Sequence, residues 1–430
     1  MPSKLNLLTS VEESELSEVI NGERNSDQTK RLSSKILSFG VLRGASDIHL
    51  ECSRNSSLVR FRVDGILYDV VELPIELNDA LVARFKVLAD LKTDEHRIPQ
   101  DGRFSGEMES KIVDFRVSVM PLIFGEKVAI RLLRQENKTD SLEKLGFSPA
   151  AVSVVESNLR RPYGMMLVCG PTGVGKTTTL YTLLRHLLEE RKNTANLYTI
   201  EDPVEYSIER VNQIQANPAI GLTFNTALRG LLRQDTDIIM VGEIRDKESA
   251  AAATQASLTG RILLSSLHTR NTVGALIRLL EIGIEPYLVA SAMSMIIAQR
   301  LVRINCEACK ESYTLDAASF QELDRRHNLS TVLSMVSQYA SGKGKNAPLT
   351  FMRGRGCEVC YYTGFHGRTG IFEVLEMSDT MRELVQQRSS SSKLLDQARK
   401  EGVLTLMQVG FIKALSGLTT LEEVLKVSLE

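Results

Sequence analysis

The sequence predicts an α/β protein in which a small N-terminal α/β domain precedes a core built on a largely parallel sheet. From Gly164 onward, short apolar strands bounded by turn-forming or polar residues alternate with helices. This pattern is typical of a parallel sheet covered by helices on both faces. Upstream, apolar and polar residues alternate over Leu58–Val63 and Ile112–Val119, and Asp64–Gly65 is a turn signal. The predicted core strands are Met165–Cys169, Leu197–Ile200, Asp237–Val241 and Ile262–Ser265.

Length and composition limit the possible functions. A chain of 430 residues, 43% hydrophobic and 24% charged, is a globular protein of about three structural units. The net charge of −1 provides no global attraction to nucleic acid or anionic lipid. The longest apolar stretch, Pro286–Ala298, is shorter than the roughly 20 residues of a membrane-spanning helix. Met1–Asp27 lacks the features of a secretory signal. We therefore expect a cytoplasmic protein whose function depends on specific sites.

The predicted organisation has six segments. Helical patterns over Thr29–Leu42 and Ala80–Leu91 accompany the N-terminal strands, and the charged connector Glu136–Asp140 follows them. The segments are a mobile arm or short docking element (1–28), an N-terminal α/β domain (29–135), a linker and entry to the core (136–160), the core (161–305), an element with two cysteine pairs (306–375) and a C-terminal helical extension (376–430).

The segment Gly170–Thr177 matches the P-loop pattern G-x-x-x-x-G-K-T, and it lies between an apolar strand and the helix predicted at Thr177–Leu188. Its glycines allow backbone N–H groups to surround a β-phosphate. Lys176 is expected to reach the β- and γ-phosphates, and the Thr177 hydroxyl to bind magnesium. The alternative, a fortuitous glycine-rich turn, is disfavoured by the strand and helix on either side. The predicted nucleotide-binding residues here are Gly170, Thr172, Gly173, Gly175, Lys176, Thr177 and Thr178.

Two acidic segments and one histidine follow predicted core strands. Glu201–Glu205 and Asp237–Glu243 place carboxylates at the carboxyl edge of the sheet, where ligands of open α/β sheets bind. One acid can hold magnesium through water, and another can orient an attacking water molecule. His268 follows the strand Ile262–Leu267 and could donate a hydrogen bond to a γ-phosphate. Capping or surface roles for the acids and a structural role for the histidine remain open alternatives.

Four of the six cysteines form two C-x-x-C pairs: Cys306 with Cys309, and Cys357 with Cys360. Four thiolates can complete a closed tetrahedral zinc site, so we predict one structural zinc ion. The alternatives are redox activity and unpaired structural cysteines. Cys52 and Cys169 are expected to be packing residues.

Four signatures in order give the chain its resemblance to a known family. The P-loop Gly170–Thr177 is followed by Thr199–Glu205, by Asp237–Asp246 and by Leu267–Thr269, and this series resembles the secretion ATPases that assemble type II secretion systems and type IV pili. The upstream segments that also resemble this family are Ala45–Glu51, Pro99–Arg103 and Gly125–Arg131. The resemblance implies a PAS-like N-terminal α/β domain and a RecA-like P-loop ATPase core with a tetracysteine zinc insert and C-terminal helices.

The same resemblance implies a role for each site residue. Glu205 becomes the general base, Glu243 governs magnesium and water, and His268 senses the γ-phosphate. Glu201 is a weaker candidate for the base and a nucleotide-site residue. Five arginines are implied at the nucleotide or at subunit interfaces, where a guanidinium can be supplied in trans: Arg116, Arg131, Arg229, Arg233 and Arg245. A weak surface ion pair is the alternative for any one of them.

The resemblance also implies ATP, Mg²⁺ and Zn²⁺ as cofactors and a homo-hexamer as the assembly. Implied partners are an inner-membrane platform protein and cytoplasmic assembly proteins, so that membrane association is peripheral. The tetracysteine element favours pilus or pseudopilus assembly over the retraction motors of the same superfamily. A nucleic-acid translocase or helicase with a zinc module is the rival from another class. We expect no direct nucleic-acid binding, because the chain has no Trp and a near-zero net charge.

Overall fold

The computed structural model describes residues 7–108, 111–134, 141–327, 329–330, 333 and 349–428, and the connector Glu136–Asp140 lies outside them. The strands are β1 (Asp47–Cys52), β2 (Ser56–Val63), β3 (Ile66–Pro74), β4 (Gln100–Met108), β5 (Lys111–Leu122), β6 (Gly125–Arg134), β7 (Gly164–Cys169), β8 (Leu197–Glu201), β9 (Asn212–Gln215), β10 (Ile238–Val241), β11 (Ile262–Leu267), β12 (Met293–Asn305), β13 (Lys310–Leu315), β14 (Leu349–Gly354) and β15 (Phe365–Glu376).

The helices follow the same order along the chain. They are α1 (Ser10–Ile20), α2 (Ser26–Leu42), α3 (Asn78–Leu88), α4 (Leu142–Leu145), α5 (Pro149–Leu159), α6 (Lys176–Glu190), α7 (Phe224–Leu231), α8 (Lys247–Leu258), α9 (Thr272–Ile282), α10 (Pro286–Ala292), α11 (Ala317–His327), α12 (Asp379–Gln386), α13 (Ser391–Lys400), α14 (Leu406–Leu415) and α15 (Leu421–Ser428). No helix in the described part of the chain is long and apolar enough to cross a membrane.

The chain divides into two compact units. The first contains the described residues of Met1–Asn137 together with Cys306–Lys310 and Gly354–Gly367. The second contains those of Lys138–Asn305, Glu311–Arg353 and Arg368–Glu430. Both cysteine pairs are therefore grouped with the N-terminal residues, although the sequence prediction treated 306–375 as one element.

The first unit is built on an antiparallel sheet in the order β3-β2-β1-β6-β5-β4. In β5, Val113, Phe115, Val117 and Val119 are buried, while the residues between them are more exposed. This period of two is the alternation from which the strand was predicted. Asp64–Gly65 forms the two-residue turn between β2 and β3, with φ of 49° and 85°.

The segment predicted as a mobile arm or short docking element contains the helix α1. Helix α1 begins with a capping box between Thr9 and Glu12, and it buries Leu16 and Val19. Arg43 on the following segment contacts Glu12 and donates a hydrogen bond to the carbonyl of Leu7 at 2.5 Å. The segment is mostly polar and only weakly periodic, so its sequence did not indicate that a few apolar residues attach it to the core.

The second unit is built on a seven-stranded sheet in the order β15-β12-β7-β11-β10-β8-β9. The pairs β12–β7, β7–β11, β11–β10, β10–β8 and β8–β9 are parallel, in agreement with the largely parallel sheet that the sequence predicted. In β7, Met165, Leu167 and Cys169 pack on one face of the sheet, and Met166 and Val168 pack on the other. Helices therefore cover both faces, which explains why the core strands are continuous apolar runs.

The strand register brings the predicted motifs to one edge. Cys169 pairs with Leu267 at the ends of β7 and β11, and Val241 at the end of β10 pairs with Ser265, two residues before the end of β11. The P-loop, the segment beginning at Gly242 and the segment beginning at His268 therefore leave the sheet at the same carboxyl edge. Brought together in this way, residues from distant positions can form one site.

Candidate functional site

The P-loop occupies the turn between β7 and α6. Gly170, Gly173 and Gly175 have φ of 156°, 81° and 86°, a region that side chains rarely adopt. A Cβ added to Gly170 would lie 2.7 Å from the carbonyl oxygen of Gln299. Backbone conformation and close packing both require glycine at position 170. The loop therefore presents its backbone at the N-terminus of α6, where the helix dipole favours an anion.

Lys176 is the first residue of α6, and its ammonium lies at the opening of the loop. Its Nζ donates hydrogen bonds to the carbonyl oxygens of Gly170 at 2.8 Å and Pro171 at 3.0 Å. Burial lowers the pKa of Lys176, while the negative charge of Glu243 acts in the opposite direction. Thr177 and Thr178 follow in the first turn of α6, both partly buried, and Thr172 is exposed on the loop.

His268 joins Lys176 to Glu243. The His268 Nδ1 lies 3.4 Å from Lys176 Nζ, and its Nε2 lies 3.1 Å from Glu243 Oε2. A neutral imidazole with its proton on Nε2 satisfies both contacts, because Nε2 then donates to the carboxylate and Nδ1 accepts from the ammonium. The sequence predicted these three residues as site residues, and the structure brings them into one chain of contacts.

Arg245 extends this chain, because its Nε donates to Glu243 Oε1 at 2.6 Å. Burial tends to raise the pKa of the Glu243 carboxyl, but the hydrogen bond and charge of Arg245, together with His268, lower it. Glu243 is therefore held as a carboxylate. Arg229 is exposed near the end of α7, and the Arg233 guanidinium donates to its carbonyl oxygen at 3.1 Å.

Glu201 and Glu205 have different surroundings although they lie four residues apart. Glu201 is only 3% exposed and both of its carboxylate oxygens accept hydrogen bonds from protein side chains. Burial raises the pKa of Glu201, and the hydrogen bonds from Thr199 and Tyr181 oppose that effect. Glu205 is partly exposed after the end of β8. Of the two, Glu205 has the surroundings that allow contact with a ligand at the sheet edge.

Three arginines form a row across the sheet of the first unit. Arg116 in β5 is paired with Arg131 in β6 and, on its other side, with Arg103 in β4. Arg131 Nε also donates to Asp47 Oδ1 at 3.0 Å. Like charges on directly opposed residues of neighbouring strands destabilise a sheet, and the ion pair with Asp47 offsets part of that repulsion at Arg131. This row is chemically suited to a polyphosphate.

The four cysteines of the two pairs form one cluster. The Sγ–Sγ distances are 3.9 Å for Cys306 and Cys357, 3.8 Å for Cys309 and Cys360, and 3.8 Å for Cys357 and Cys360. All four sulfur atoms lie within 4.8 Å of one another. Tetrahedral zinc with Zn–S bonds of about 2.3 Å requires sulfur atoms about 3.8 Å apart, so this donor set fits a metal ion.

Backbone N–H groups donate to two sulfur atoms of this cluster, although burial raises the pKa of Cys309 to about 12. Gly356 donates to Cys309 Sγ at 3.2 Å, and Cys357 and Gly364 donate to Cys360 Sγ at 3.2 and 3.3 Å. Burial alone would raise the pKa of Cys360, but these hydrogen bonds and those of neighbouring thiols lower it to about 7. N–H groups around a ligating sulfur orient it and stabilise its charge.

Gln299 and Tyr181 have no counterpart in the motifs, and Arg103 lies in a family-like segment but was given no role. Gln299 in β12 donates from Nε2 to the Val174 carbonyl at 2.5 Å and accepts from Thr179 at 2.8 Å, which fixes the loop to the sheet. Tyr181 is fully buried beside Glu201. Arg103 was visible only as the end of the segment Pro99–Arg103. A buried polar residue in an apolar run, such as Gln299, is the sequence signal that could have been used.

Fold and site together define a P-loop protein with a parallel core sheet, an antiparallel N-terminal sheet and a tetracysteine cluster. The chain belongs to the family described as "Type II/IV secretion system protein", whose profile matches residues 23–426. This result confirms the family that the motifs indicated.

Individual proteins agree with this assignment. The chain is 44% identical over 400 residues to the type II secretion system protein E of Pseudomonas aeruginosa, covering 93% of this chain and 75% of that protein. It is 42% identical over 395 residues to the type IV pilus assembly ATPase PilB of Myxococcus xanthus, with coverage of 92% and 67%. The X-ray structure of the Yersinia pseudotuberculosis ATPase DotB superimposes with a TM-score of 0.68 at 19% identity, covering 95% of this chain and 96% of that one. The predicted α/β fold is thereby confirmed.

Proposed function

We propose that this chain is an ATP-hydrolysing motor that powers assembly of a type IV pilus or a type II secretion pseudopilus at the inner membrane. One observation carries the proposal: the contacts from Lys176 through His268 to Glu243 lie at the P-loop edge of the core sheet. The relatives named as a type II secretion protein and a pilus assembly ATPase support the coupling to assembly.

The roles of the residues follow from their positions. Lys176 and the loop N–H groups bind the β- and γ-phosphates, and the Thr177 hydroxyl holds Mg²⁺, which supplies positive charge to the phosphate oxygens. Glu205 accepts a proton from water as the water oxygen bonds to the γ-phosphorus. The bond from that phosphorus to the β–γ bridging oxygen breaks, and ADP and phosphate are released.

Glu243 and His268 complete this site. Glu243, held as a carboxylate by Arg245, would supply negative charge to Mg²⁺ and its water molecules when Mg-ATP is bound. His268 would donate its Nε2–H to the γ-phosphate in place of Glu243 and thereby register whether that phosphate is present. Glu201 is assigned no contact with the nucleotide, because both of its oxygens accept hydrogen bonds from the protein.

The arginines support a hexamer as the working assembly. The row containing Arg116 and Arg131 offers guanidinium groups that neutralise charge on a transferred phosphoryl group, whether in the same subunit or a neighbour. Arg229 and Arg233 are assigned to the subunit interface. Closure of successive subunits around ATP converts hydrolysis into displacement of a membrane platform protein. The chain itself associates with the membrane peripherally through such partners.

The cysteine cluster is assigned to one structural zinc ion held by Cys306, Cys309, Cys357 and Cys360. Four protein ligands leave no open position for catalysis at the metal. Within this superfamily the cluster favours an assembly motor over a retraction motor. A nucleic-acid translocase is disfavoured by the net charge of −1 and the absence of Trp, which is a stacking residue.

The test is ATP hydrolysis by the full chain and by two variants. Lys176→Ala is expected to abolish tight ATP binding and turnover. Glu205→Gln should retain Mg-ATP binding and lose turnover by roughly 10²- to 10⁴-fold, the range for a general base. Lys393→Ala, on helix α13, is the matched surface control. Turnover that persists in Lys176→Ala would refute the ATPase assignment, and normal pilus or pseudopilus assembly in cells carrying only Glu205→Gln would refute the coupling.

A further inference from the structure

A buried carboxylate lies beneath the segment that carries Glu205. Glu201 Oε2 accepts a hydrogen bond from the Tyr181 hydroxyl, and its Oε1 accepts from Thr199 Oγ1 at 2.6 Å and from Gln213 Nε2 at 3.2 Å. Burying a carboxylate is costly unless it is hydrogen-bonded in this way. Glu201 is therefore a fixed part of the protein interior, around which neighbouring segments are organised.

The hydroxyl of Tyr181 uses its full hydrogen-bonding capacity. It donates to Glu201, and it accepts from the backbone N–H of Glu205 and from Gln213 Nε2, both at 3.4 Å. A phenol has one donor and two acceptor positions, so this arrangement leaves none of them unused. The contact with the Glu205 backbone is the direct link between this interior network and the proposed general base.

The ring of Tyr181 is attached to the same segment. It is fully buried and packs edge-on against Tyr206, with ring centroids 4.7 Å apart. The Tyr206 hydroxyl accepts from Arg185 at 3.2 Å, and the Arg185 guanidinium lies 5.5 Å from the Tyr206 ring. Tyr181 and Arg185 both belong to α6, the helix that begins with the phosphate-binding Lys176. Residues 205 and 206 are thus held by the helix whose first turn forms the phosphate site.

We propose that Tyr181 is a positioning residue for ATP hydrolysis, which fixes the backbone of Glu205 relative to the P-loop helix through its hydrogen bond to buried Glu201. This inference rests on the proposed function. Small displacements of a catalytic group are expensive in rate, because a misplacement of about 1 Å can cost 10²-fold. ATP binding depends on the loop and on Lys176, the first residue of α6, and the Tyr181 hydroxyl contacts neither in this network, so binding should be unaffected.

The experiment compares Tyr181→Phe with Tyr163→Phe in the full chain. Each variant removes one phenolic oxygen, and Tyr163 is 52% exposed and outside this network. Tyr181→Phe is expected to lower kcat by roughly 10- to 100-fold and to leave the Kd of a non-hydrolysable Mg-ATP analogue within about twofold. Tyr163→Phe should retain wild-type kcat. If Tyr181 only fills the core, Tyr181→Phe should lower the unfolding temperature without lowering kcat at an unchanged Kd, and that result would contradict the positioning role.

A double-mutant cycle tests whether the effect passes through Glu205. In a Glu205→Gln background, Tyr181→Phe is expected to cause no further loss of single-turnover rate, because there is no base left to position. Multiplicative losses would overturn the inference, as would wild-type kcat in Tyr181→Phe. Glu201→Gln replaces one acceptor oxygen by an N–H donor and provides a second variant, which should show the same separation of kcat from Kd.

The outcomes separate this inference from the function on which it rests. Turnover that requires Lys176 and Glu205 but not Tyr181 overturns only the positioning role. Wild-type turnover in Glu205→Gln removes the base and the positioning role together, while the ATPase function stands. Turnover independent of Lys176 refutes the ATPase function itself.

Discussion

The phosphate site and the cysteine cluster are built in opposite ways. The P-loop is one continuous segment between a strand and a helix, and its shape comes from backbone conformations that only glycine adopts readily. The cysteine cluster joins two segments, with Cys306 and Cys357 separated by 51 positions, and its shape comes from four side chains that converge. A continuous site can form with its own helix, whereas the cluster needs a metal ion or the surrounding fold to hold its halves together.

This difference predicts where each site is vulnerable. The phosphate site should fail through single changes in backbone geometry, with little effect on the rest of the protein. The cluster should fail through loss of one ligand, with a large local loss of stability.

Loss of one cysteine ligand is expected to have the largest effect. Cys357→Ser should abolish stoichiometric zinc binding, because it removes one of the four thiolate ligands. Structural zinc sites with all their ligands bind the metal with an apparent free energy of about 10–16 kcal/mol. Residues 354–364 should then become sensitive to limited proteolysis, while the affinity for Mg-ATP stays unchanged. Elemental analysis and proteolysis of protein purified without chelators measure both effects.

Cys52→Ser is the control for this prediction, because Cys52 lies outside the cluster. That variant should keep one zinc ion per chain. Full zinc content in Cys357→Ser, or no zinc in the wild-type chain, would contradict the assignment. A parallel loss of Mg-ATP affinity in Cys357→Ser would contradict the proposed independence of the two sites.

The contrast also explains which features the sequence could predict. The P-loop was predictable as a unit, because glycine, lysine and threonine at fixed spacing between a strand and a helix determine the conformation of the loop. The parallel sheet then determined that Glu243 and His268 would meet beside it, since carboxyl ends of parallel strands share an edge. The direct contact between these two side chains also requires that β10 and β11 lie side by side, and no pattern in the sequence predicted that strand order.

Other features depend on contacts that no local pattern encodes. The inward orientation of Glu201 follows from Tyr181 and Gln213, which come from a helix and an edge strand on either side of it. The attachment of α1 depends on Arg43, which follows α2. In both cases the deciding partner is distant in sequence, and it was not part of any motif.

A single methyl group should damage the phosphate site. In Gly170→Ala the new Cβ would approach the Gln299 carbonyl oxygen to 2.7 Å at a φ of 156°, so the loop must shift. Strain of this kind costs about 1–3 kcal/mol, which corresponds to roughly 5- to 150-fold weaker Mg-ATP binding. Titration with a fluorescent ATP analogue measures the loss, and the zinc content should not change.

The control for Gly170→Ala is a glycine that can accept a side chain. Gly230 in α7 has no heavy atom within 4 Å of an added Cβ, and Gly230→Ala should preserve ATP affinity and stabilise the helix by about 0.5–1 kcal/mol. Equal ATP affinity in Gly170→Ala and the wild-type chain would show that the loop is not rigid. The shape of the phosphate site would then not depend on the backbone conformation of glycine.

The smallest expected effect concerns how the second cysteine pair contacts the N-terminal residues of its own unit. The Arg43 guanidinium lies 4.2 Å from the centre of the Tyr361 ring, and Tyr361 also packs against the apolar core of that unit. Tyr361→Leu keeps an apolar side chain and removes the cation–π contact, so the free energy of unfolding should fall by about 1 kcal/mol.

Tyr362→Leu is the control, because Tyr362 is 57% exposed, and it should lower the free energy of unfolding by less. Urea unfolding measures both, and zinc content should stay at one ion per chain in each variant. Zinc loss in Tyr361→Leu would mean that this contact, in addition to the four thiolates, holds the cluster together, and the cluster would then depend on the fold more than on its ligands.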